Sequence, residues 1–218
     1  MSLGRKSWTT TRMALISSVL LAIEVQGIGG KMNNYVQFLE EHLGKIQYGW
    51  STDDKGESLP FQVVKYSGGP FSGTVTYSTL GLSNQPLRSP VSNKEIRQEI
   101  FLVTYSSFGD KNIPSILQYV GLNALRNKQA ILRGDLFGPY GELFEASSLE
   151  ALYVTIPVYF PDSFQTFISD GSSFVQSWLV PITREESDYI KKFGWDAFES
   201  ELEVSDPDLV DFGRKSIF

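Results

Sequence analysis

Apolar residues recur along this chain with two different periods, and the alternation between them predicts its elements. From Asn33, Val36, Leu39 and Leu43 fall at helical spacing, with Asn33 or Asn34 as cap and Gly44 as stop. Trp50 to Pro60 is polar and charged and predicts a hairpin turn or loop, followed by a β-like run from Phe61 to Tyr66 that Ser67-Gly68-Gly69-Pro70 ends. Thr74 to Leu80 is dense in β-branched and aromatic residues and predicts a strand. Ile96 to Tyr105 predicts another, its run Ile100-Phe101-Leu102-Val103 too continuous for a strand with one exposed face. Ile113, Ile116, Leu117, Val120 and Ala124 form one stripe of a helix from Asn112 to Asn127, with Pro114 in its first turn. Gly134 to Phe144 predicts a short strand with turns, and Leu152, Val154, Ile156 and Val158 alternate through a core strand from Leu149 to Tyr159. Phe174, Gln176, Trp178 and Val180 mark the inner face of a further strand. Thr183-Arg184-Glu185-Glu186 has the pattern of a capping box and opens a helix to Phe193, with Gly194 past its end. Trp195, Phe198 and Leu202 predict one more short helix, and Phe193 and Phe198 are expected in the core. Strands and helices mix without repeats or a low-complexity linker, which predicts a single α+β domain.

The first 31 residues stand apart. Arg5, Lys6 and Arg12 precede an apolar run from Met13 to Ile23, as in a signal peptide, but Val25-Gln26-Gly27 is a poor cleavage site and the run is too short to span a membrane. Gly29-Gly30-Lys31-Met32 also fits a translated ribosome-binding leader before a start at Met32. Residues 1–31 are therefore read as a non-native leader, a targeting segment or an N-terminal helix, and residues 32–218 as the domain.

Composition narrows the chemistry. The 218 residues contain no cysteine and one histidine, His42, which excludes disulfides, thiolate metal sites, a cysteine nucleophile and any multi-histidine centre. No phosphate loop, nucleophile elbow, zinc helix or calcium loop is present. The carboxylates of Gly134-Asp135 and Gly141-Glu142 fit solvated turns better than an acid/base pair. Asp206 and Asp208, flanking Pro207, are too few to hold calcium. No catalytic residue, cofactor or metal ligand is assigned, and the chain is read as a binding protein rather than an enzyme.

Charge distribution says more. Net charge is −6, yet Glu185 to Asp211 carries ten acids against Lys191 and Lys192, a net −8, so the remainder is +2. Such a lobe is either a solvated helix face or a landing site for a basic partner, and the acidic balance speaks against a nucleic-acid binder. Trp195, Glu199, Glu201, Glu203, Asp206 and Asp208 are the candidate partner-binding residues, with Trp195 as aromatic anchor.

Four blocks are similar to the bacterial form of the suppressor-of-fused domain. They are Thr76-Tyr77-Ser78-Thr79-Leu80-Gly81-Leu82-Ser83, Arg97 to Thr104, the strand Val154 to Tyr159 with the junction Leu179 to Glu186, and Asp211-Phe212-Gly213-Arg214-Lys215-Ser216. Each is unspecific alone, but they keep the family order across about residues 34 to 218. The resemblance implies a central, largely antiparallel sheet with helices packed on it and no catalytic residues. Family members bind proteins; the animal ones sequester a transcription factor with the help of a second domain, for which this chain has no room. Bacterial stand-alone members resemble immunity proteins, or antitoxins, so the resemblance implies a cytoplasmic protein that neutralises a basic toxin domain, such as a nuclease, encoded nearby. The alternative is a regulatory module for a partner that is not a toxin. Gly81, Glu99 and Arg214 are read as structural, Gly81 as a turn residue and Glu99 as the buried partner of Arg214. The turn residues Tyr77, Thr79 and Leu82 are the alternative binding surface.

Overall fold

A computed structural model describes residues 29–53, 55–169 and 171–218. The reading of residues 1–28 as leader, targeting segment or helix lies outside the described residues. The elements run α1 (Gly29–Leu43), β1 (Ile46–Thr52), β2 (Ser58–Tyr66), β3 (Thr74–Leu80), β4 (Leu87–Arg88), β5 (Glu95–Tyr105), α2 (Ile113–Asn127), β6 (Leu136–Phe137), β7 (Leu149–Thr155), β8 (Thr166–Ser169), β9 (Ser172–Thr183), α3 (Arg184–Phe193) and α4 (Trp195–Ser205).

One open sheet in the order β1-β2-β3-β5-β9-β7-β6 carries the fold, with β4 added beside β5 and β8 beside β9. Among its described pairs only β5 with β9 is parallel, so the sheet is largely antiparallel, as an α+β fold requires. Helices cover both faces. Tyr35, Leu39 and Leu43 of α1, Ile190 of α3 and Phe198 of α4 pack with Tyr66, Phe101, Tyr153, Trp178 and Val180 on one face. The stripe of α2 packs with Val63, Val75, Tyr77, Ile100, Leu102, Val154 and Leu179 on the other. The continuous run in β5 thus resolves into alternation between two cores, Phe101 and Val103 to one and Ile100 and Leu102 to the other. Each such side chain contributes roughly 1.5–3 kcal/mol of burial.

The C-terminal segment finishes the sheet without joining it as a strand. β5 and β9 pair from Arg97 with Phe174 as far as Phe101 with Trp178. Beyond that point residues 208–216 contact both strands. The Thr104 hydroxyl donates to the Val210 carbonyl at 3.2 Å, and Arg214 Nη2 donates to the Pro181 carbonyl at 3.1 Å. Val210 enters the first core and Phe212 the second, so the segment crosses from one face of the sheet to the other. This also explains a proline inside β9. N–H and C=O of a strand residue point to the same side, so the missing donor of Pro181 faces Arg214 rather than β7.

Several boundaries differ from the expected ones. α1 begins at Gly29 rather than Asn33. β1 and β8 were not expected: β1 is an edge strand with two register shifts and no clear period, and β8 has four residues. The loop expected from Trp50 to Pro60 narrows to the turn between β1 and β2. The strand expected to reach Tyr159 stops at Thr155, because Ile156 and Pro157 carbonyls accept from Val158 and Phe160 in tight turns. Phe193, expected in the core, is 51% exposed and meets the Tyr189 ring at a tilt of 45°, whereas Phe198 is fully buried.

Candidate functional site

The four family-like blocks meet in pairs. In the first pair, β3 runs into a turn at Gly81, whose φ of 99° a side chain would strain, and a 3-10 turn from Leu82 to Asn84 follows. Glu99 of β5 is fully buried beneath that turn. Its carboxylate accepts from Thr79 Oγ1 (2.6 Å), Gly81 N (2.9 Å), Ser83 N (3.1 Å) and Ser83 Oγ (2.7 Å). Arg97, two residues earlier, donates Nη1 to the carbonyls of Ser83 (2.8 Å) and Asn84 (2.7 Å), so the turn is held through both its donors and its acceptors. Burial pushes the Glu99 carboxyl above its ordinary value despite those four donors.

In the second pair, Thr183 caps α3 and Glu186 reciprocates, Oε2 accepting from Thr183 N at 2.8 Å. Arg214 then grips Glu186 as a fork, Nη1 to Oε1 at 2.6 Å and Nη2 to Oε2 at 2.8 Å. Side-chain exposure is 5% for Arg214 and 0% for Glu186. The expected pairing of Arg214 with Glu99 is therefore corrected. Glu99 spends its lone pairs on the Gly81 turn, while the C-terminal segment delivers Arg214 to the start of α3.

The residues of the alternative binding surface lie in and beside the first clamp. Tyr77, Thr79 and Leu82 are all buried, with Tyr77 donating its hydroxyl to Asp110 at 2.7 Å, so the turn offers a partner none of these side chains. This block, one of the four that carry the resemblance, is packed into the fold.

The acidic lobe comprises α3, α4 and the segment after it, and its charges are not equivalent. Glu186 is internal. Glu199 accepts from Arg133 Nε (3.0 Å), Tyr153 Oη (2.6 Å) and Thr155 Oγ1 (2.9 Å), and also from Arg133 Nη2. Burial alone would raise the Glu199 carboxyl, but Arg133 and the two hydroxyls outweigh it and hold it below its ordinary value. Asp208 takes the Tyr105 hydroxyl at 2.7 Å and Val210 N at 3.1 Å, and Glu201 receives the Tyr189 hydroxyl. Glu185, Asp188, Asp196, Glu203, Asp206 and Asp211 are exposed. Trp195 is 38% exposed, but its ring is already engaged: the Arg133 guanidinium lies 4.9 Å from its centroid, and a Cβ on Gly134 would meet Cδ1 at 2.5 Å. The structure thus brings Trp195 and Glu199 together around Arg133, and sets Asp208 against Tyr105 instead, with Asp206 exposed nearby in the chain.

The remaining titratable groups serve local structure. His42 lies between the rings of Phe38 and Phe164, with Nδ1 2.9 Å from the Phe38 carbonyl. Asp135 accepts from Leu132 N and Glu142 from Ser147 N, each within its own loop. Among the described residues no group of three or more His, Asp or Glu is placed to hold a metal ion. Among the described residues, too, no helix is long and apolar enough to cross a membrane.

Comparison with known proteins agrees with this geometry. The family model for suppressor of fused protein (SUFU) matches residues 57–215. The immunity protein YqcF of Bacillus subtilis (strain 168) is 23% identical over 175 residues, covering 79% of this chain and 88% of the relative. Among solved structures, a SUFU homologue from Neisseria gonorrhoeae FA 1090 superposes with a TM-score of 0.64 at 20% identity, over 85% of this chain and 98% of that one. A chain of the Sufu–Fu complex gives 0.61 at 13% identity, over 88% and 92%. Drosophila Suppressor of Fused gives 0.60 at 12% identity; this chain spans about half, 51%, of its length.

Proposed function

We infer the function from one premise: this chain belongs to the suppressor of fused family, whose model spans most of its length. The family and the relatives it brings with it are protein-interaction modules. The observation that carries the finer reading is similarity to an immunity protein over 79% of this chain and 88% of that relative. On that reading this protein is an immunity protein, or antitoxin, that neutralises a cognate toxin in the cytoplasm by direct binding, without a cofactor. Two features support it. The residues that define the family here are spent on clamping a turn and a tail, which leaves the protein a rigid surface rather than a reaction centre. The exposed carboxylates of α3, α4 and the following segment suit a basic partner such as a nuclease toxin domain, whose active site must face phosphates. Likeness to a chain of the Sufu–Fu complex favours a second reading, a module that sequesters a partner other than a toxin.

The test is co-expression with the product of the neighbouring gene, scored by co-purification and by protection of growth. Replacing exposed Glu203 together with Glu201 by Gln should slow association at low salt, with the effect shrinking as the Debye length falls to about 8 Å. Co-purification without protection favours the second reading. Absence of both co-purification and protection would rule out the immunity function for that gene pair.

A further inference from the structure

We propose that the partner docks on an aromatic surface at the end of β5, formed by Phe71, Tyr105, Val158 and Tyr159 and rimmed by Asp206, Asp208 and Asp211, and that it presents an arginine-bearing segment there. This names the surface used by the binding function proposed above and rests on that reading. Phe71 is 48% exposed and Val158 53%, in two turns far apart in sequence. The Phe71 and Tyr159 rings meet at 5.0 Å, and Tyr105 stands beside them, its strand paired with Thr74 and its own phenol anchored on Asp208. Asp208 accepts the Tyr105 hydroxyl at 2.7 Å and Asp211 lines the cleft that Tyr105 also lines, while burial, followed by the carboxylates of Asp208 and Asp206, raises the Tyr159 phenol.

Beside Tyr105 the surface continues into a cleft of about 410 Å³ walled by Phe108, Lys111, Glu145, Asp211 and Phe212. Lys111 is the one cation among these walls, and its ammonium is already over the Phe108 ring at 4.3 Å. Exposed aromatic faces within reach of fixed carboxylates suit a guanidinium, which stacks and forks at once, better than a point-like ammonium. An anionic or wholly apolar partner would meet the aspartates unpaired. Trp195, by contrast, already has a guanidinium on its ring.

Phe71→Ser/Val158→Ser in the full chain changes two exposed side chains, and Ile168→Ser on β8 is the control, since Ile168 is 71% exposed on another edge. Against the neighbouring gene's product, the double variant should bind at least tenfold more weakly and the control within twofold, with melting midpoints of all three within a few degrees. Equal affinities for the double variant and the control would overturn the surface while leaving the immunity reading intact. If the wild-type chain does not bind that product, the immunity reading fails, and a twelve-residue peptide of alternating arginine and glycine decides the surface by NMR titration of the labelled full chain. Salt-sensitive shifts centred on Phe71, Tyr105 and Asp206 support it. Shifts centred on the α3 and α4 acids, or none, overturn it.

Discussion

Removing the guanidinium of Arg214 is expected to loosen the whole C-terminal segment. Glu186 is fully buried and, among the described residues, keeps two other donors, Thr183 N and Ile217 N, once the fork is lost. Breaking a buried pair from one side strands the other charge and costs about 3–5 kcal/mol. The Pro181 carbonyl also loses its donor, and Val210 and Phe212 lose the anchor that holds them in the two cores. For a chain of this size that corresponds to a melting midpoint lowered by roughly 6–20 °C. Arg214→Lys keeps the charge but not the fork and should fall between wild type and Arg214→Ala. Urea unfolding of Arg214→Ala, Glu186→Ala and the double variant measures the coupling, expected to be about 1–3 kcal/mol in favour of the pair. Limited proteolysis should cut the Arg214→Ala chain first after residue 205. An Arg214→Ala variant within about 1 kcal/mol of wild type, or strictly additive with Glu186→Ala, would refute the clamp.

Three further outcomes follow from the same geometry. Glu99 titrates near 4.5 when unfolded and higher in the fold, so the folded chain holds the extra proton and stability falls as pH rises across that interval. Glu99→Gln removes this dependence; its stability relative to wild type should therefore increase with pH above 4.5 and then level off, and a flat difference in urea midpoints between pH 4 and 8 would contradict it. Glu199 is depressed instead, so its stabilisation is present above its unfolded value of 4.5 and is lost as pH falls through its lower folded value. Because Arg133 is 42% exposed, Glu199→Gln should cost about 1 kcal/mol or less at pH 7, with the gap closing in acid during chemical denaturation. Gly121→Ala on α2 would ordinarily gain about 1 kcal/mol of helix propensity. Here the added methyl would lie 2.5 Å from Phe61 Cζ, so calorimetry should find a net loss of about 1–3 kcal/mol, relieved by Phe61→Leu.

Periodicity alone determined the elements that pack as layers. The α2 stripe, the β3 run and the capping box of α3 are local features whose side-chain spacing or backbone donors dictate one conformation, and each appears at the expected residues. The family-like blocks were legible as well, and so was the positive φ required at Gly81. What each block touches was not. Glu186 is already occupied in the sequence pattern as the second half of a capping box, and nothing local reveals that its remaining lone pairs await an arginine twenty-eight residues later. Glu99 has the composition of an ion-pair partner, and only the approach of the Gly81 turn supplies four neutral donors in place of a cation. The acidic lobe was visible as net charge, but tertiary contacts decide which acids remain free, since Glu199 is consumed by Arg133 of a distant loop. The aromatic surface at the end of β5 has no sequence signature at all. Phe71, Tyr105 and Tyr159 sit in three separate turns or strand ends, where no period operates, and they come together only because β3 and β5 pair and the chain folds back over Trp178.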